Sequence, residues 1–325
     1  MSMLGRRTLA SLVVFASAVT LAQAAKQLPL KSFEGPPKFE PAKVALFESD
    51  LRTKIGPGLP GGVTPPASGG GGGNTASPGD DPGAGGGGGG GGGSLAWSKL
   101  ITPENLEAEI KALQKPAGES TKTMNVFKGN GRVLAQNTFA ELAVLFGVIA
   151  QYDGDVRWKK ESLGLTKIYA QATNNCKTSS DAAYKGAQLC TQQLAELIRG
   201  TPPEMPKADA PNSWKDVTDR PSLMRRIEEL RTGPNVPKWI SGKNDFKKNK
   251  DALLREAQIM LMISEVIKDK NFESGDDDSY QKYAKAFSEQ CVAFVEAIKS
   301  DNQDKAQGLM AGVSKSCDTC HGDFR

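Results

Sequence analysis

The chain has 325 residues, with 41 Lys and Arg against 37 Asp and Glu and a formal net charge of +4. Charges of both signs are intermixed at helical spacing, which marks solvated helix faces and leaves no electrostatic footprint for nucleic acid. One histidine is present, so any chemistry needing two imidazoles is excluded. No nucleophile–base pair or paired-carboxylate motif points to an enzyme.

The N-terminus carries Arg6 and Arg7, an apolar stretch over 8–21 and the small-residue pattern Ala22-Gln23-Ala24. That order predicts a secretory signal peptide over 1–24 and a periplasmic mature protein. The apolar run is too short, and too close to the cleavage pattern, for a membrane anchor. No later segment is expected to span a bilayer. Residues 25–94 are rich in Pro and Gly and include glycine tracts at 69–73 and 85–93. Such a segment has high chain entropy and little apolar surface to offset it, so a disordered linker is expected. Its part over 56–94 would span roughly 35 Å as a flexible coil. Within it, Val44-Ala45-Leu46-Phe47 and Leu51 form a short amphipathic pattern suited to docking on a partner.

From residue 95 onward the pattern is helical. Thr102-Pro103-Glu104 reads as an N-cap followed by proline at the first helical position, and Leu106, Ile110 and Leu113 mark one helix face. Helices are expected over 131–152, 158–177 and 180–199, the last closed by Gly200, Pro202 and Pro203. A similar order follows. Leu223, Ile227 and Leu230 repeat the spacing of Leu106, Ile110 and Leu113, a long helix is expected over 246–268, and Tyr283-Ala284 up to Cys291 mirrors Tyr169-Ala170 up to Cys176. Ala306-Gln307, in a last helix over 302–320, matches Ala187-Gln188. The expected fold is all-α: two tandem antiparallel four-helix bundles, at 95–200 and 215–325, joined by a Pro-rich linker at 201–214.

The chemistry gathers at the end of the chain. Cys317-Asp318-Thr319-Cys320-His321 has the Cys-x-x-Cys-His spacing of a c-type haem attachment site. Two thiols three residues apart can each form a thioether to a porphyrin vinyl group, and the adjacent imidazole then serves as proximal iron ligand. A zinc site would want four ligands, and a redox disulfide would sit in a βαβ setting that the surrounding pattern lacks. Thioether formation outside the cytoplasm needs thiols on an unfolded chain, which favours unfolded secretion over twin-arginine export. In the first copy, Glu196-Leu197-Ile198-Arg199 stands at the equivalent place without thiol or imidazole, so one covalent haem c is expected.

The stretch from Asp304-Lys305-Ala306-Gln307 through Cys317-Asp318-Thr319-Cys320-His321-Gly322-Asp323-Phe324-Arg325 resembles the last helix of cytochrome c′ and related class II c-type cytochromes. The resemblance implies a four-helix bundle over 215–325 with Cys317, Cys320, His321 and Arg325 at the haem, Arg325 lying beside the proximal face or a propionate. A frayed terminus is the alternative for Arg325. It further implies that the bundle's first helix covers the distal face with either an apolar residue or a methionine. Met224 is the leading candidate for a sixth ligand, with an ordinary core methionine as its alternative; Met260, Met262 and Met310 are weaker candidates. Trp239, Leu253, Tyr283, Phe287 and Phe294 are expected to line the pocket or fill the bundle core. A Cys176–Cys190 bridge would need a register shift of about 10 Å along the helices, and Cys291 reads as a small buried residue.

Three functions remain open from the sequence. The first is a one-electron carrier for redox partner proteins, and the second a five-coordinate haem protein binding nitric oxide or carbon monoxide. The third is a haem-bearing interaction module tethered by the N-terminal segment.

Overall fold

In the computed structural model residues 95–324 are described, and they are all-α: no strand occurs among the described residues. The signal peptide and linker expected over 1–94, and Arg325, lie outside the described residues. Helix α1 (Pro103–Ala112) starts where its cap predicts, with the Thr102 hydroxyl accepting the Asn105 amide at 3.3 Å. Helix α2 (Gln114–Ser120) follows, and two short helical turns lead into α3 (Arg132–Gln151). This long helix is buried on every face, from Ala135 through Phe139, Leu142 and Phe146 to Ile149. One consequence corrects a sequence expectation. The segment Met124–Gln151 is long and apolar enough to cross a membrane, and 72% of its most apolar window is buried. A helix wrapped by neighbours needs no polar face, which is why its composition matches that of a span.

Helix α4 (Ser162–Asn175) begins four residues later than the pattern suggests. Trp158 adopts a left-handed φ of 65°, and its ring is buried edge-on against Phe146 at 6.1 Å. Burial of the indole outweighs the backbone preference there. Helix α5 (Asp181–Arg199) is bounded as expected. The Ser180 hydroxyl accepts the Ala183 amide at 3.1 Å, and Gly200 ends the helix at φ 100° with the Thr201 amide donating to the Glu196 carbonyl at 2.9 Å.

The second half comprises α6 (Arg220–Thr232), α7 (Asn235–Ser241), α8 (Lys243–Lys248), α9 (Lys250–Val266), α10 (Asp278–Lys299) and α11 (Gln303–Phe324). The single helix expected over 246–268 is broken at Asn249, whose backbone (φ −111°, ψ 17°) leaves the helical region while its amide group donates to the Asp245 carbonyl at 2.8 Å. Asn side chains compete for backbone partners in this way. Helix α11 runs on past Cys320 to Phe324 rather than ending at the motif.

Helix α3 packs chiefly on α4, and α10 packs on both α9 and α11. The halves meet where α6 lies on α3 and α9 on α1, and their buried apolar side chains form one continuous cluster. Trp214 seals this junction. Its ring stands edge-on to Trp97 at 5.8 Å and lies so close to Gly147 that an added Cβ would come within 2.8 Å of it.

Candidate haem cleft

On a helix, residues at i, i+3 and i+4 share a face. Because α11 is continuous through the motif, Cys317, Cys320 and His321 project together. They extend the stripe on which Met310 and Val313 are buried. All three line one cleft holding about 550 Å³ of empty space, part of it open to solvent. The facing walls are Met224, Ile227 and Glu228 from α6, Ile267 at the end of α9, and Tyr280, Tyr283, Ala284 and Phe287 from α10. Tyr280, Ala284 and Phe287 recur at helical spacing, so α10 presents a single apolar stripe to the motif.

The last turn of α11 is pinned to α10. Phe324 stands edge-on to Tyr280 (5.6 Å) and Tyr283 (6.2 Å), the Tyr283 hydroxyl donates to Asp323 Oδ2 at 2.7 Å, and Gln290 donates to the Ser316 hydroxyl at 2.8 Å. Tyr280 donates to the Ile267 carbonyl at 2.8 Å and carries the Arg220 guanidinium 5.1 Å above its ring. Burial pushes the phenol of Tyr280 up, while the hydrogen bond to Asp323 raises that of Tyr283. At the α6 wall Arg231 donates twice to Glu228, at 2.6 and 3.0 Å, and that contact raises the guanidinium further. Burial likewise pushes the thiols of Cys317 and Cys320 up, with Arg231 pulling the first back down and Arg220 the second.

Comparison with protein-family models, with curated proteins and with solved structures finds no match. The cleft therefore has to be read from its own side chains. Two thiols and an imidazole on one helix face, apolar walls and a rim open to water suit a flat, largely apolar macrocycle with its edge exposed. The donor set fits a covalently held haem.

Among the described residues, Met224 is the methionine that reaches the cleft. Met260, Met262 and Met310 are buried in the core away from it. Tyr283 and Phe287 line the cleft as expected, whereas Leu253 and Phe294 belong to the core and Trp239 packs at its margin. The sequence left both outcomes open because aromatic and Leu positions on an amphipathic helix look alike whether they face a cofactor or another helix. Cys176, Cys190 and Cys291 are free thiols, and burial pushes the first two up to about 12 and about 11. Glu228, Ile267, Tyr280, Ala284 and Ser316 were missed by the sequence reading. The Tyr280–Ala284–Phe287 spacing was the signal that could have found three wall positions.

Arg157 donates to Glu107 on α1 at 2.6 Å and to the Ile198 carbonyl on α5 at 2.8 Å, and its guanidinium lies 4.4 Å over the buried Trp158 ring.

Proposed function

We propose that the protein is a periplasmic monohaem c-type cytochrome transferring one electron at a time, with a cytochrome c′-like bundle over 215–325 following a haemless bundle over 95–200. The observation that carries this reading is the convergence of Cys317, Cys320 and His321 with Met224 on one apolar cleft. When bound, the haem supplies an iron that cycles between two oxidation states. Cys317 and Cys320 would hold the porphyrin through thioethers, and His321 would supply a ring nitrogen to its iron. Met224, on a different helix, lines the same cleft and would offer a thioether sulfur to the iron, a ligand type that raises the reduction potential. Ile227, Ile267 and Phe287 exclude water, and the Tyr283–Asp323 and Phe324 contacts hold the motif's turn against α10.

The haemless character of the first bundle follows from the repeat. Glu107 follows Leu106 as Met224 follows Leu223, and Ile198 lies eleven residues after Ala187 as Cys317 lies eleven after Ala306. Arg157 thus joins the two positions, Glu107 and Ile198, that this repeat matches to Met224 and Cys317.

The second reading, an open five-coordinate iron that binds nitric oxide or carbon monoxide, draws on the packing of Met224 against the apolar core. One experiment separates the readings. The mature protein is made in a host competent for cytochrome maturation and examined for haem-linked mass and peroxidase stain on a denaturing gel. The electron-carrier reading expects a stained band, a six-coordinate reduced spectrum and no response to carbon monoxide. A colourless band overturns both readings, and a carbon monoxide adduct selects the second.

A further inference from the structure

Helix α6 has two occupied faces. One presents Met224, Ile227 and Glu228 to the cleft; the other presents Arg225, Arg226 and Glu229 to a second cavity at the junction of the halves, with about 940 Å³ of empty space, part of it open to solvent. There Arg226 donates to Glu109 of α1 at 2.9 Å, to Glu141 of α3 at 2.8 Å and to Glu256 of α9 at 2.8 Å. Arg255 of α9 completes the group, within 3.1 Å of both Glu109 and Glu256. All three carboxylates are nearly inaccessible, so each one withdrawn from water depends on these guanidiniums for compensation. A single cation held by three helices at once fixes both the rotation and the height of the helix that bears it. Two further bonds lock the same contact: Gln136 to Asp219 at 3.4 Å and Arg225 to Asn137 at 3.2 Å.

We infer that Arg226 is a positioning residue, and that through Glu109, Glu141 and Glu256 the haemless half sets how α6, and with it Met224, sits over the haem cleft. This rests on reading the cleft as the haem site. It gives the first half a task that needs no cofactor: a rigid support against which the distal helix is registered. The cleft and the anchor lie on opposite sides of one helix, so a change at the anchor would reach a group bound in the cleft as a displacement of the whole helix rather than through a wire of contacts.

The anchor also titrates. Burial pushes the Glu141 carboxyl up to about 8 and raises that of Glu109, while the facing carboxylates keep Arg226 charged. The charged groups facing Glu141 are Glu109 from α1, Arg225, Arg226 and Glu229 from α6, and Arg255 and Glu256 from α9; α2 and α4, also packed on α3, bring none to the cavity. Three acids and two guanidiniums are neutral with one proton shared among the acids and carry one net negative charge without it.

The test uses the full holo-protein with Arg226→Lys and Glu141→Gln. Haem content by mass is checked first, so that failure of attachment is read against the haem assignment and not against the anchor. In the wild type the visible spectrum and the reduction potential are expected to shift as pH passes through about 8, and in Glu141→Gln that shift is lost. Arg226→Lys, which cannot hold three carboxylates in fixed geometry, is expected to give a changed axial spectrum and roughly tenfold faster amide exchange over α6, with the overall helix content kept. The same exchange measurement on a haem-free Cys317→Ser, Cys320→Ser background reads the seating of α6 without the cofactor. Wild-type spectra, potentials and α6 exchange in both variants across the pH range overturn the inference; if Arg226→Lys does not fold, Glu141→Gln decides alone.

Discussion

At the scale of single residues, the chemistry of this chain turns on which side chain faces His321 across the cleft. Among the described residues Met224 is the methionine that lines the cleft, and its neighbours Ile227 and Phe287 carry no ligating atom. Met224→Leu keeps the volume and apolar character of the site, so its stability cost should be below about 1.5 kcal/mol. The spectrum is where the change should appear. A low-spin six-coordinate wild type should become high-spin, gain a carbon monoxide adduct and fall in reduction potential; an unchanged spectrum removes Met224 as a ligand. The motif side chains behave differently. Cys317→Ser and Cys320→Ser together should abolish the haem-linked mass, measured on denatured protein, while leaving helix content near that of the wild type stripped of its cofactor.

At the scale of elements, α3 and α4 are joined by aromatic stacking: Phe146 lies 5.6 Å from Tyr169 with near-parallel rings, and Phe139 lies 6.0 Å from the same ring. Phe146 also supports the left-handed Trp158. Phe146→Ala removes a fully buried ring from between two others and should cost about 3–5 kcal/mol in denaturant unfolding. Gly200→Ala, at φ 100°, should cost about 1–2 kcal/mol by the same measurement, because an added Cβ meets its own carbonyl there. Elements set by local chemistry were legible in the sequence, as with the Thr102–Pro103 start of α1, the Ser180 and Gly200 ends of α5 and the motif itself. What escaped was set by distant partners. Trp158 bends the chain because of Phe146, the break at Asn249 depends on a side chain competing for a helix carbonyl, and Arg226 meets Glu109 across 117 positions of sequence. No periodicity records such a contact, and the wall of the cleft was half legible for the same reason.

At the scale of the whole molecule, the two halves share one core and one buried charge group, so their stabilities are coupled and pH acts on both through the junction. The Glu141 carboxyl, raised by burial from an ordinary 4.5 to about 8, holds a proton in the folded chain that the unfolded chain releases. Between those two values the native state binds more protons than the unfolded state, so this group's contribution to stability is fully present below about 4.5 and lost as pH rises to about 8. Glu107 acts in the opposite sense. Hydrogen bonds from Lys111 and Arg157 lower its carboxyl, so its contribution is present above the ordinary carboxylate range and lost as pH falls through the lowered value. Stability should therefore decline from mildly acidic pH toward pH 8, and Glu141→Gln should flatten that decline while leaving the acid limb in place. Removing the shared cation is the harsher change. Arg226→Met removes the guanidinium shared by Glu109, Glu141 and Glu256 and should cost about 3–5 kcal/mol at neutral pH. Urea unfolding of the three proteins from pH 4.5 to 9 measures all of this; parallel stability curves for wild type and Glu141→Gln would mean that Glu141 is ionised in the folded chain and that folding takes up no proton at the junction.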